Sequence, residues 1–526
     1  MAAPFRPAAA ARQAARRRAA ATTHMTHMMH YRSFTNWLPS LAAGMALLAL
    51  AACAVGPNYH RPDAPTAPAY KEDQGWKPAT PGEIEAGKPW WSIYNDPLLD
   101  SLERQVEVSN QTLKADEAAY RSAQDQVGID RGTLFPSISA SAGVTRSGSA
   151  SGVNQAITTS TGTTVTTGTG SNGHRTIYSA GAQASWSIDV WGRIRRLVES
   201  DVTKAQASAA DVAAALLSAQ ITLAEDYFQL RAADEQVRLY QTEIDDFKNA
   251  LSITQNQVKA GTTTLADVYA AETQLESTEA SAVGVQLTRA KFEHAIAVLI
   301  GKPPAELAID QGDFTTRVPV VPAGIPSALL ERRPDIAAAE RSVASANALI
   351  GVAEAAWFPS VTLNGSYGFS AGVLPGLLRA KNALWSFGPS LAENVFNGGA
   401  TLALNHQARD NYDEAVATYR QTVLSAFQSV EDDLVTLRVL EQQGQLQEAA
   451  VKDARLSEEL TLNQYKSGIV VYSSVITAQT TRLVDEINLL GVQSQRLVSS
   501  VDLISQLGGG WDAAQLDQRD RGVPAN

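Results

Sequence analysis

Two runs of more than 130 residues, 137 to 302 and 390 to 523, contain no proline. Within the first, Val202, Ala205, Ala209, Val212, Leu216, Ala219 and Leu223 follow 3-4-3-4 steps. Tyr412, Val416, Tyr419, Val423, Ala426, Val430, Leu434 and Leu437 do the same in the second. This spacing predicts helices packed along a coiled-coil seam, and the many alanines permit close approach. The stretch from Gly192 to Gly261 reads as nearly one helix, which at 1.5 Å per residue extends roughly 100 Å. Such a helix suits a rod or a tube rather than a globule. Gly261 and Gly468 stand where C-terminal glycines end such helices.

The chain also repeats itself. Asn256-Gln257-Val258-Lys259-Ala260-Gly261 matches Asn463-Gln464-Tyr465-Lys466-Ser467-Gly468 at an offset of 207, as do Leu217-Ser218-Ala219 and Leu424-Ser425-Ala426. Phe135-Pro136-Ser137-Ile138 matches Phe358-Pro359-Ser360-Val361 at 223; the extra 16 residues fall in a Ser/Thr/Gly-rich loop of the first copy. Several motifs in one order predict two tandem units of helix, strand, strand, long helix, helix. The expected divisions are a leader (1–52), an arm (53–90), repeat one (91–300), a proline-bearing linker (301–325), repeat two (326–510) and a tail (511–526).

Between the helices, residues alternate with period two. Ile138, Ala140, Ala142 and Val144 oppose Ser137, Ser139, Ser141 and Thr145. Tyr178, Ala180, Ala182, Ala184, Trp186, Ile188 and Val190 oppose Ser179, Gln183, Ser185, Ser187 and Asp189. Val361, Leu363, Tyr367 and Phe369 oppose Thr362, Asn364, Ser366 and Ser370, while Trp385, Phe387 and Leu391 oppose Ser386 and Ser390. One greasy and one wet face over about 10 residues is the pattern of membrane barrel strands; soluble hairpins with one wet face share it. Pro389 predicts a strand edge or bulge. Four strands cannot close a barrel, and open edges in lipid leave backbone groups unpaired. Membrane strands here therefore require oligomerisation.

The chain has one cysteine, Cys53, so it holds no internal disulfide. Ahead of it, Arg32 leads an apolar stretch from Trp37 to Leu50, followed by Leu50-Ala51-Ala52-Cys53. That length suits a signal peptide, not a spanning helix, and small residues before cysteine resemble a bacterial lipobox. The expected chemistry is S-diacylglycerol at Cys53, cleavage before it and N-palmitoylation of the new amine, an anchor held by three acyl chains. Prolines 62, 65, 68, 78, 81 and 89 then predict an extended arm lying on the body. Later in the chain no run of about 20 apolar residues predicts a spanning helix.

Net charge is −11, and the first 52 residues hold six arginines and no acid, so the remainder carries −17. That balance excludes nucleic-acid binding through basic patches. All five methionines precede Cys53, and the seven histidines form no metal-ligand spacing. Gly168-Thr169-Gly170-Ser171-Asn172-Gly173 fits a nucleotide fingerprint only as letters, since no helix follows. Asp245-Asp246 and Asp432-Asp433 read as helix-surface charges. No catalytic set, metal site or cofactor is expected, and the chain is not read as an enzyme.

Several longer motifs resemble a known family. Trp186-Ser187-Ile188-Asp189-Val190-Trp191-Gly192-Arg193, the run Ile325 to Ile336 with its Arg333-Pro334-Asp335, Ala339-Glu340-Arg341, and Leu507-Gly508-Gly509-Gly510-Trp511 look like the TolC-type outer-membrane efflux proteins. With Cys53 and Val55-Gly56-Pro57 they are similar to its lipoprotein branch, the NodT-like partners of RND pumps. The resemblance spans roughly residues 50 to 511. It implies a mainly helical fold with membrane β structure, a homotrimer with a 12-stranded barrel, and a helical periplasmic tunnel. Loops 146–175 and 371–383 would face outside. The turns at Gly261, Thr262, Gly468 and Ile469 would form the periplasmic tip, touching an adaptor protein and through it an RND transporter.

The resemblance also places a gate after each tip turn, at Asp267 and Ala270 in copy one and Ser474 and Thr477 in copy two. Only Asp267 is acidic, which favours a hydroxyl-lined gate; Asp267 also reads as a first-turn carboxylate favoured by the helix dipole. Thr262 to Leu265 and Val470 to Tyr472 are alternative adaptor contacts. The expected function is a passive exit duct for drugs or other small molecules. A duct for metal ions and a soluble coiled-coil structural protein are the competing readings.

Overall fold

The structure is a computed structural model and describes residues 54–72, 89–148, 156–158, 164–166, 174–315, 317–319, 329–514 and 516. All belong to one compact unit, Cys53–Asn526. The first copy comprises α1 (Pro97–Ser109), α2 (Gln111–Gly132), β1 (Ser137–Gly148), β2 (Ala156–Thr158), β3 (Thr164–Thr166), β4 (His174–Ile188), α3 (Arg193–Lys259) and α4 (Leu265–Leu299). The second comprises α5 (Leu329–Arg332), α6 (Pro334–Glu354), β5 (Ser360–Ala371), β6 (Ala383–Ala392), α7 (Ala400–Lys466) and α8 (Tyr472–Gln506).

The predicted repeat is realised in element lengths. Both α3 and α7 run 67 residues, and both α4 and α8 run 35. Each long helix starts after a glycine at positive φ, Gly192 (80°) or Gly399 (88°), where the chain swings out of the sheet. At the first of these, Asp189 accepts from the amides of Ile194 and Arg195, both at 3.0 Å. Two donors left open at the helix start are thereby satisfied.

The seam residues go where their spacing puts them. Ala205, Ala209, Val212 and Leu223 are buried on α3, and Tyr419, Val423, Ala426, Val430, Leu434 and Leu437 on α7. Helix α3 packs against α2, α4, α6 and α8; α7 packs against α6 and α8. One 18-residue window of α3 has a mean hydropathy of 1.4, enough by composition to cross a membrane, which the search for apolar runs did not foresee. Ala205, Ala209, Ala210, Leu223, Ala224 and Leu230 of this helix are buried within the chain, so part of this apolarity serves the helical wall. The largest core joins Trp90, Leu99 and Val106 to Leu223, Phe228, Ile296, Val430, Val501 and Ile504.

The sheet runs β1-β4-β5-β6, all antiparallel, so β1 and β6 are its two edges. Pro389 lies in edge strand β6, as its missing N–H requires. Strand β4 ends at Ile188, two residues short of the alternation read from the sequence. The first copy's Ser/Thr/Gly loop contains a small hairpin, β2 with β3, that composition did not reveal. Cys53 and the leader lie outside the described residues.

Candidate functional site: wall, tip and arm

Register decides which residues share a face of the sheet. Val144 is opposite Tyr178, Ala182 opposite Tyr367, Trp186 opposite Leu363, and Tyr367 opposite Trp385. Directly paired residues share a face, so the apolar sets of all four strands form one continuous surface. Ile138, Val144, Tyr367, Trp385, Phe387 and Leu391 are exposed on it. The serines and amides form the other face and bond to one another. Ser185 Oγ donates to Asn364 at 3.0 Å, and the Ser366 and Ser386 hydroxyls meet at 2.8 Å. This is a lipid-facing and lumen-facing pair of surfaces.

At the opposite end of the helices, both tips are built alike. Gly261 (φ 70°) sends its amide to Val258 O at 3.0 Å, and the Thr262 amide reaches Gln257 O at 2.9 Å. Gly468 (φ 74°) and Ile469 repeat these bonds to Tyr465 O and Gln464 O, both at 2.9 Å. This paired closure is the Schellman motif. Beneath the tips, Ala250 and Ala271 pack with Tyr465, Tyr472 and Val475. The Tyr465 hydroxyl donates to Gln257 Oε1 and so ties one copy's tip to the other's.

The candidate gate residues are not equivalent. Asp267 sits in a capping box: its carboxylate takes the Thr264 amide at 3.1 Å and the Thr263 and Thr264 hydroxyls at 2.6 and 2.8 Å. Those hydroxyls hold its carboxyl below the usual range. Ser474 occupies the same place in copy two, where Val471 supplies no side-chain cap. The Thr477 hydroxyl donates to its own helix at Ser473 O, 2.9 Å. Among the described residues no hydrogen bond or ion pair joins Asp267 to Ser474 or Thr477. At the tip surface Leu265, Tyr269, Ile469 and Val471 are exposed, whereas Tyr472 is only 2% exposed and packs on Tyr465. Of the Val470–Tyr472 segment, Tyr472 therefore offers no free surface to a partner.

The described part of the arm, residues 54–72, lies along the body, as prolines 62, 65 and 68 predict. Val55 donates to Trp191 O at 3.0 Å, beside the end of β4. Arg196 on α3 donates to Val55 O (3.1 Å), Gly56 O (3.0 Å) and Asn58 Oδ1 (3.0 Å). Gly56 and Gly351 touch backbone to backbone, so neither position has room for a Cβ. Further along, Tyr59 donates to Glu340, and Lys71 and Glu72 give their amides to the Glu431 carboxylate at 2.7 and 2.9 Å. Residue 54, one after Cys53, lies against Gly192 at the junction of sheet and helix.

The motif Arg333-Pro334-Asp335 turns out to be a clasp. Arg333 grips Asp335 with two bonds (3.0 and 2.8 Å) and Gln506 with two more (3.0 and 2.6 Å), joining the start of α6 to the end of α8.

The family model for the outer membrane efflux protein matches residues 102–302 and 325–509, one segment for each copy. The chain belongs to the outer membrane efflux protein family. Among its relatives is a probable efflux pump outer membrane protein of Pseudomonas putida, TtgC, 28% identical over 474 residues, covering 90% of this chain and 95% of that one. The probable outer membrane lipoprotein SilC of Salmonella typhimurium is 27% identical and covers 88% and 96%. The outer-membrane channel OprN superposes with a TM-score of 0.76 at 28% identity, covering 87% of this chain and all of that one. This efflux protein is thus an outer-membrane channel component that extends into the periplasm, a passive exit duct of an RND-type pump.

Sequence reasoning missed the electrostatic knots of this efflux protein. Arg482 on α8 meets Glu243 of α3, Glu458 of α7, Glu486 at 3.0 Å and Asp246 at 3.6 Å. The repeat offered no clue, because the copy-one equivalent of Arg482 is Leu275 and the copy-two equivalent of Glu243 is Ala450. Burial pushes the Glu243 carboxyl up to about 7; Arg482 opposes that rise, and the neighbouring Glu458, Asp246 and Glu486 add to it. Elsewhere in the wall burial lifts Glu225, bonded to Asp502, to about 8 and Asp433 to about 7.

Proposed function

We propose that the channel is a homotrimer, anchored by lipid at Cys53, whose tip docks a periplasmic adaptor bound to an inner-membrane RND transporter. The carrying observation is the sheet: four strands with a continuous exposed apolar face and two open edges, β1 and β6. In lipid each edge must find a partner, and β6 of one copy beside β1 of the next supplies it. Three copies would give 12 strands and a lumen lined with serine and amide side chains. Exposed apolar residues along the helices, such as Val283 and Leu287 on α4 and Leu446 and Leu460 on α7, support burial against neighbouring copies.

At the tip, the apolar groups Leu265, Tyr269, Ile469 and Val471 around the Gly261–Thr262 and Gly468–Ile469 turns fit an adaptor contact. Ser474 and Thr477 favour a hydroxyl-lined constriction, with Asp267 committed to its cap. Cargo is drugs or other small molecules, with metal ions as the alternative, since a passive duct needs no metal-ligating wall to pass them. Native mass spectrometry of the detergent-extracted protein is the test. Three copies, each with an acylated Cys53, are expected; a monomer with a free thiol would overturn the proposal.

A further inference from the structure

Residues 132–188 and 355–392, the two strand-bearing segments with their outer loops, contain none of the chain's 54 carboxylates, although the chain carries −11 overall. Their cations are Arg146, Arg175, Arg379 and Lys381, with His174. All lie at the end of the sheet away from the helices. Arg146 and Arg175 sit where β1 leaves and β4 enters, and Arg379 and Lys381 lie between β5 and β6. Charge exclusion from lipid explains the acid-free strands, but not why the loops lack acids or why every cation is at this one end. At the helical end, both signs occur together, as at Asp189 and Arg195.

The register places Arg146 further. It follows Val144 by two residues, so it projects from the apolar, lipid-facing side. Val144 is opposite Tyr178, and Tyr367 is opposite Trp385 on that same side; these aromatics mark a membrane interface. Arg146 stands about 7 Å beyond the Val144–Tyr178 row, at two residues of strand rise. Between β5 and β6 the chain is folded into successive turns: Leu377 N to Leu374 O (3.1 Å), Arg379 N to Gly376 O (3.1 Å) and Asn382 N to Arg379 O (2.9 Å). This firm loop presents Val373, Leu374 and Leu378 exposed beside exposed Arg379 and Lys381. Among the described residues no carboxylate pairs with Arg146, Arg379 or Lys381.

We propose that Arg146, Arg379 and Lys381 form an outward-facing cationic rim that binds the phosphate groups of a phosphorylated glycolipid in the outer leaflet, while Val373, Leu374 and Leu378 lie among its acyl chains. Guanidinium forks suit phosphate oxygens, and leucines beside cations match a ligand with acyl chains below its phosphates. The inference rests on the membrane orientation of the sheet and not on the number of copies. Arg175, opposite Ser147, lies on the lumen face and serves as the internal control.

The purified full-length channel is titrated with lipid A, intact or enzymatically dephosphorylated, and bound lipid is counted by native mass spectrometry. Intact lipid A is expected to bind at least tenfold more tightly than the dephosphorylated form. R146A/R379A/K381A is expected to lose that preference, and R175A to keep it. Equal binding of the two lipids to the unaltered protein, a measurement independent of any variant, would overturn the proposal. So would a preference retained by the triple variant or lost in R175A.

Discussion

Arg482 of α8 and the fully buried Glu243 of α3 form an ion pair that closes the first copy's long helix onto the second copy's returning one. The pair does not stand alone: Glu458 and Glu486 also crowd the guanidinium, so charge there is net negative. Glu243 has a folded-state pKa raised above its unfolded value, near 7 against 4.5. Between those values the folded chain holds a proton that the unfolded chain has released, so stability falls as pH rises from about 4.5 to about 7. E243Q is expected to flatten that slope, by up to about 3 kcal/mol between pH 5 and 8, in thermal melts of the detergent-solubilised protein. A slope equal to wild type would refute the assignment. R482M, which strands buried carboxylates, is expected to cost about 3–5 kcal/mol at pH 8 and to be partly rescued by E243Q.

Two glycines of the second repeat separate strain from crowding. Gly468 has φ 74° with open space around it, so Gly468→Ala meets only backbone cost, about 1–2 kcal/mol. Gly508 has φ 90° and would bring a Cβ to 2.1 Å from Arg332 O. Gly508→Ala is therefore expected to separate α8 from the Arg333 clasp and to lower the yield of folded channel severalfold, read as heat-resistant oligomer on gels. G468A yield should stay near wild type. Similar yields for the two would contradict the close approach.

How much of this was legible beforehand follows the physics. Element lengths, the seam and the two faces of the sheet were readable because each rests on a periodicity that any helix or strand obeys. Gly261 and Gly468 were readable because few residues other than glycine end a helix at positive φ. Arg482, Arg196 and the Arg333–Gln506 clasp were not, because their contacts between elements join residues 24 to 239 positions apart with no local pattern. Asp267 was visible as an acid after a turn, but its role depended on Thr263 and Thr264, and only the bond geometry showed the cap.

Arg196 fastens the arm with three bonds to Val55, Gly56 and Asn58. Its side chain is nearly buried, and alanine would leave two arm carbonyls without this donor. R196A is expected to free residues 54–59, raising amide exchange and protease cleavage there at least tenfold while leaving α7 and α8 unchanged. Protection equal to wild type would show that the remaining contacts, Val55 to Trp191 O, Tyr59 to Glu340 and Gly56 against Gly351, suffice to hold the arm.

Asp267 offers the sharpest division between a structural and a gating role. As the reciprocal member of a capping box, its carboxylate holds the first turn of α4; D267A is expected to cost that turn about 1 kcal/mol, seen as faster amide exchange at residues 265–268. Its pKa is lowered in the folded chain, so the contribution is present above the unfolded value and is lost as pH falls through the folded one. Ser474, with no such cap, should show no comparable local effect as S474A. If Asp267 instead served a cation site at the constriction, D267A would change block of single-channel current by divalent cations and leave local exchange untouched. The three donors converging on Oδ2, from Thr263 Oγ1, Thr264 Oγ1 and Thr264 N, argue for the first outcome, because they commit that oxygen to the turn and leave only Oδ1 open to a cation.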